Sequence, residues 1–201
     1  MTPPSSATRS ARGREVVAAG RLLLEQEGPE ALTMRRLAER IGIRAPSLYK
    51  HLPDKAALEA AIIATGLEEA AATFEQAVDG SDPGPETGTG TGTGGGGGGG
   101  DGNGSGRALA ALAVAYRRFA LEHPHLYRLM NTGPLPREQL PPGLEDRAAA
   151  PLLRAAGGRA RARAVWAFAH GMVMLELDHR FPPDADLDDA WRAGIAAFQP
   201  A

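Results

Sequence analysis

The chain has 201 residues, room for one domain of ordinary size and a smaller second one, and it contains no cysteine, which excludes a disulfide framework, a thiol nucleophile and a thiolate-held metal. Its net charge of −2 hides an uneven distribution: residues 1–55 carry ten basic and six acidic side chains, residues 56–201 twelve and eighteen. The basic end suits a polyanionic partner better than the rest does. Met1 to Thr8 is rich in Pro and Ser without an apolar stretch, and the most apolar run, Val165 to Leu177, is 13 residues long and holds His170 and Glu176. It is too short to span a bilayer, so the expectation is a soluble, cytoplasmic protein with no membrane partner.

Val16, Ala19, Gly20, Leu23 and Leu24 recur at helical spacing and predict a first helix that Gly28-Pro29 ends. Thr33 can cap a second helix, whose Met34, Leu37, Ala38 and Ile41 repeat the spacing, and Gly42 supplies a left-handed stop. Gly42 to Arg44 separates it from a third helix over Ala45 to Leu52, where Pro46 is tolerated because a first-turn amide has no intrahelical bond to lose. Asp54 can cap a long helix through Leu58, Ile62 and Leu67 to Val78. Further helices fit Arg107 to Glu122, Pro124 to Met130, Leu144 to Ala156, Arg159 to Arg180 and Leu187 to Phe198. No segment alternates with period 2, so the fold class is all-α.

Between the two helical halves, Gly80 to Gly106 holds 15 glycines in 27 residues, including an unbroken run from Gly94 to Gly100. Such a tract buries too little apolar surface to order itself and is expected to be a disordered insertion. It satisfies G-x-G-x-x-G by accident, but no strand precedes it, so a dinucleotide site is not expected. The expected division is an N-terminal helical domain over 10–55, a connecting helix over 56–79, the glycine-rich insertion over 80–106 and a C-terminal helical domain over 107–199.

Two short helices joined by a three-residue, glycine-containing turn constitute a helix-turn-helix. Leu48 and Leu52 lie on the inner side of its second helix with Ile43, leaving Ser47, Lys50 and His51 outward with Tyr49 and Arg44 at the flanks. That is a basic, hydrogen-bonding surface with an aromatic, the mixture that phosphates and base edges require. The alternative for the same pattern is a solvated helical face.

Residues 14–58 resemble the DNA-binding domain of the tetracycline-repressor (TetR) family, through Val16-Val17-Ala18-Ala19, Leu32-Thr33-Met34-Arg35-Arg36-Leu37-Ala38 and Ala45-Pro46-Ser47-Leu48-Tyr49-Lys50-His51-Leu52-Pro53-Asp54-Lys55. The resemblance implies that Tyr49 and His51 touch the DNA backbone, that residues 44–50, with Arg44, Ala45, Pro46, Ser47 and Lys50, face bases, and that Lys55 meets a phosphate. It also implies that Thr33 and Arg35 brace the backbone. Arg44 stands where many relatives have a capping Ser or Thr, and an arginine cannot accept from free amides, a loss of about 1 kcal/mol. The second half resembles a Trp-His-Gly (WHG) subgroup of TetR C-terminal domains, through Trp166-Ala167-Phe168-Ala169-His170-Gly171 and the stretch Phe119 to Met130.

The run Val165 to Leu177 is apolar on nearly every face, so it is buried on all sides or shared between two subunits. The resemblance implies that this helix and the last one form a four-helix dimer contact, giving a homodimer that reads a near-palindromic operator in double-stranded DNA. Tyr116, Phe119, Trp166, His170 and Met174 are candidates to enclose a small apolar effector, with a core position the competing reading for Phe119, Trp166, His170, Met172 and Met174. His123, His125, Asp178 and His179 invite a metal, but the first two flank Pro124 and cannot sit one turn apart on one helix. Neither metal nor cofactor is expected. Without G-x-S-x-G, H-E-x-x-H or a P-loop, no catalytic residue is expected either. Asp184, Asp186, Asp188 and Asp189 are expected to favour the N-terminus of the last helix through its dipole. The function expected is a ligand-released repressor, with a helical protein-protein adaptor as the alternative.

Overall fold

A computed structural model describes residues 11–81 and 100–199. The described chain is helical: α1 (Ala11–Glu27), α2 (Met34–Arg40), α3 (Ala45–Leu48), α4 (Lys55–Asp79), α5 (Gly100–Glu122), α6 (Pro124–Asn131), α7 (Leu144–Ala156), α8 (Arg159–Leu177) and α9 (Leu187–Ala196), with short 3₁₀ turns at Pro29–Ala31 and Arg137–Gln139. No strand occurs among the described residues, as the absence of period-2 segments leads one to expect.

Most of the glycine tract, 82–99, lies outside the described residues, and so does the expectation of disorder there. Helix α5 begins at Gly100 rather than Arg107, so 100–106, assigned by composition to the insertion, continue the helix instead. The third helix is also shorter than expected: α3 ends at Leu48, and residues 49–51 form a turn whose His51 and Leu52 amides both donate to the Leu48 carbonyl. A four-residue helix followed by a tight turn keeps Leu48 and Leu52 buried while changing the direction of the chain before α4.

The described chain divides into two compact units that do not follow chain order. The first joins residues 11–70 to 122–146, so α6, within the span expected for the C-terminal domain, shares a compact unit with the helix-turn-helix and packs against α1 and α4. Its core is built from Val16, Leu23 and Leu24 of α1, Leu37 of α2, Leu48 of α3, Leu58 and Ile62 of α4, and Leu126 of α6. Close packing of α6 on α4 depends on Gly66, where a Cβ would lie 2.7 Å from the Met130 sulfur and 3.0 Å from Leu126. Glu25 of α1 accepts a hydrogen bond at 3.3 Å from the Leu126 amide, satisfying one of the free donors in the first turn of α6. His123, immediately before α6, sits between Glu25 and Glu69, at 3.8 and 3.4 Å, and Arg21 pairs with Glu69.

The second unit comprises residues 71–121 and 147–199. Phe74 of α4 packs on Tyr116 and Phe119 of α5, with ring centroids 5.7 and 6.0 Å apart. Phe168 of α8 lies against Trp191 and Phe198, and at Gly194 a Cβ would overlap the Phe168 ring, so only glycine lets α9 approach this closely. Arg117 of α5 ties the ends of α8 and α9 together, 2.9 Å from Glu176 and 2.5 Å from Asp188, while the Trp191 indole donates to Glu176. These bonds raise the Arg117 pKa against the opposing effect of its own burial.

Candidate nucleic-acid interface

The helix-turn-helix is held by bonds that its sequence specifies locally. Thr33 caps α2, its hydroxyl oxygen accepting from the Arg36 amide at 3.2 Å. At the other end Gly42 adopts φ +68°, and the Gly42 and Ile43 amides donate back to the carbonyls of Glu39 and Ala38. That pair of bonds closes the helix and turns the chain within three residues, and the left-handed backbone it needs favours glycine. Asp54 caps α4, accepting from the Ala57 amide at 2.8 Å.

Tyr49 is 49% exposed although it is large and apolar, while Leu48 and Leu52 are buried. Arg44, Pro46, Ser47 and Lys50 are exposed, His51 is half-buried, and Ala45 is the first residue of α3. The basic residues separate into two groups. On α2, Arg35 pairs with Glu39 at 2.9 Å, Arg36 with Glu27, and Arg40 with Glu27 at 3.6 Å. Among the described residues Arg44 and Lys50 have no carboxylate within ion-pair distance; Lys55, the first residue of α4, has only Glu59 at 3.4 Å. Among the described cations of residues 33–52, those without an ion-pair partner, Arg44 and Lys50, thus flank the exposed tyrosine.

The structure therefore brings Arg44, Ser47, Tyr49, Lys50 and His51 onto one short segment, with Lys55 four residues on. Thr33 spends its hydroxyl oxygen on the cap, and Arg35 is tethered to its own helix. Sequence reasoning missed the supporting cluster of Arg21, Glu25, Glu69 and His123. Its members come from two helices and the break before α6, far apart in sequence, and no local spacing signals that they meet.

Among the effector candidates, Tyr116 and Phe119 gather around Phe74, with Phe119 buried. Trp166 and His170 neighbour each other one turn apart on α8, ring centroids 6.3 Å apart, and Met174 is partly exposed one turn further on. A core position for Trp166 does not hold among the described residues, which leave it 50% exposed. Partial burial lowers the His170 pKa. Asp186 alone of the four aspartates caps α9, accepting from the Asp189 amide at 2.9 Å; Asp188 and Asp189 serve Arg117 and Arg192. Among the described residues no cluster of three potential metal ligands occurs, and no helix is long and apolar enough to cross a membrane.

This geometry defines a helix-turn-helix protein with a second helical unit. Residues 16–62 match the family described as bacterial regulatory proteins, tetR family, and residues 109–198 match the tetracyclin repressor-like C-terminal domain. Together the matches take in most of the chain, which belongs to the TetR family of bacterial regulatory proteins and is a transcription regulator, not an enzyme. The tetracycline repressor protein class G of Vibrio anguillarum is 49% identical over 43 residues, 21% of this chain and 20% of that relative, so the chain spans about a fifth of the length of the curated relative it matches. A protein of unknown function from Rhodococcus sp. RHA1 is 24% identical with TM-score 0.67, covering 94% of both chains. A TetR variant from Acinetobacter baumannii AYE, solved in complex with minocycline, is 23% identical with TM-score 0.53, covering 91% of both chains. A TetR/AcrR-family regulator from Thermobifida fusca is 16% identical with TM-score 0.57, covering 94% of this chain and 97% of its own. At these identities the structural likenesses speak for the fold alone.

Proposed function

We propose that the protein is a cytoplasmic, homodimeric repressor that reads a near-palindromic operator and is released from it by a small molecule. The observation that carries this reading is the outward segment 44–51, where Arg44, Tyr49 and Lys50 are exposed on a helix-turn-helix while the arginines of α2 are neutralised internally. Cations without internal partners are those whose counterions a phosphate backbone displaces, which is how binding gains entropy from released salt. Arg44, Ala45, Pro46, Ser47 and Lys50 face the bases. Tyr49, His51, Thr33, Arg35 and Lys55 position the segment on the phosphates.

One short reading segment covers only a few base pairs, so two copies on a two-fold axis, about 34 to 36 Å apart, give the specificity a promoter needs. Effector binding belongs to the second unit, where Phe74, Tyr116 and Phe119 offer an aromatic cluster suited to an apolar molecule. The minocycline held by the Acinetobacter relative supports a ligand-responsive mechanism, not the identity of this protein's ligand. A coupling of about 1 to 3 kcal/mol between the effector and DNA sites loosens DNA binding 5- to 150-fold.

Selection of DNA from a random pool by the purified protein tests the reading. Recovery of a near-palindrome supports it. Failure to retain any duplex at low salt overturns it in favour of a protein-protein adaptor.

A further inference from the structure

The chain carries twenty arginines but only two lysines, and both of these, Lys50 and Lys55, lie within residues 44–55. A guanidinium keeps its proton and is a poor nucleophile, whereas a lysine amine that has shed its proton attacks activated carbonyls. Chemistry that acylates side-chain amines therefore reaches this protein only at the segment that reads DNA. The two amines differ in their surroundings. The Lys55 Nζ lies 3.4 Å from Glu59, one turn further along α4. Lys50 is exposed on the turn that follows α3, and among the described residues neither it nor Arg44 has a carboxylate within ion-pair distance. A small anion approaching this segment meets two cations that have no internal counter-charge.

We propose that Lys50 is an acylation site, that its donor is a small acyl phosphate, and that the modification weakens DNA binding. The neutral Lys50 amine attacks the acyl carbon of the donor. The Nζ–C bond forms and the bond from that carbon to the bridging oxygen breaks. Inorganic phosphate leaves with the bonding electron pair and takes up the proton that the nitrogen loses. Charge selects the donor, because its phosphoryl group is drawn to Arg44 and Lys50 by the same field that draws a DNA phosphate. Exposure of Lys50 then lets the acyl carbon reach the amine. The product is a neutral amide, so the reading segment loses a positive charge and ammonium donors and gains bulk on a side chain assigned to the bases. Lys55 reacts more slowly, since Glu59 engages its ammonium group.

This inference rests on the DNA-binding reading, and the test separates the two. The full chain is incubated with acetyl phosphate. Peptide mass spectrometry follows the occupancy of each lysine, and fluorescence anisotropy follows affinity for a duplex selected from the random pool. Lys50 is expected to react ahead of Lys55, with affinity falling about 10-fold in step with Lys50 occupancy, the scale of one lysine contact to a base. Lys50→Arg keeps a cation that cannot be acetylated, so treatment leaves its affinity at its own untreated value, while Lys55→Arg stays as sensitive as the parent. Untreated protein that retains no duplex at low salt overturns the DNA-binding reading and the switch together. Given binding, Lys55 modified first, Lys50 acetylated with affinity unchanged, or a Lys50→Arg protein that loses affinity on treatment overturns the switch and leaves the DNA-binding reading standing. Excess inorganic phosphate is expected to slow modification of Lys50; a rate indifferent to it overturns the acyl phosphate as donor.

Discussion

The backbone amide of Ile43 donates to the carbonyl of Ala38 at 3.0 Å, closing α2 across Gly42, whose φ is +68°. This bond fixes the direction in which α3 leaves the turn, and with it the outward aim of Tyr49 and Lys50. Gly42→Ala forces a side chain into the left-handed region at a cost of about 1 kcal/mol. Urea denaturation is expected to show that loss. An unchanged midpoint would mean that the turn relaxes into another conformation.

The same closure at the end of α8 lacks the glycine. His179 has φ +51°, with its amide bonded to the Glu176 carbonyl and the Arg180 amide to that of Leu175. His179→Gly removes the steric strain and is expected to raise stability by about 0.5 to 1 kcal/mol, less any entropy that glycine adds to the unfolded chain. Thermal unfolding of the two proteins at one pH checks the sign.

Lys50→Ala and Tyr49→Ala replace exposed residues and are expected to leave helicity and melting temperature unchanged while weakening DNA binding. For Lys55→Ala, at the proposed phosphate contact, the log-log slope of affinity against salt becomes shallower by about one, the contribution of one lost phosphate contact. Fluorescence anisotropy across a salt series measures it, and an unaltered slope would assign Lys55 a contact other than phosphate.

Arg117 lies beside Glu176, whose side chain is only 6% exposed, so Arg117→Ala leaves a carboxylate without its cation. Removing one partner of a largely buried pair costs about 3 kcal/mol, whereas replacing both partners costs less. The double variant Arg117→Met with Glu176→Gln is therefore expected to be more stable than Arg117→Ala when both are measured by chemical denaturation.

Burial lowers the pKa of His170, so the folded state disfavours the protonated ring relative to the unfolded chain. The unfolded chain then binds more protons, and stability increases with pH across the transition. The contribution is fully present above the ordinary histidine value, about 6.5, and is lost as pH falls through the lower folded value. His170→Gln is expected to flatten the stability profile in that window, and an unaltered slope would assign the dependence to another group.

The all-helical class, the caps at Thr33 and Asp54 and the stop at Gly42 were legible in the sequence because each depends on residues within one turn of one another. So was the inward aim of Leu48 and Leu52, which helical spacing sets. Membership of α6 in the unit of the helix-turn-helix was not, since it depends on Gly66 meeting Met130 and on Glu25 meeting an amide 101 residues away. Nor did the sequence tell which arginines stay unpaired: Arg36 and Arg44 look alike until Glu27 is brought beside one of them. Short-range hydrogen bonding and periodicity are written in neighbouring residues. Charge neutralisation and close packing are decided only when distant helices meet, and that is where the reading segment acquires its character.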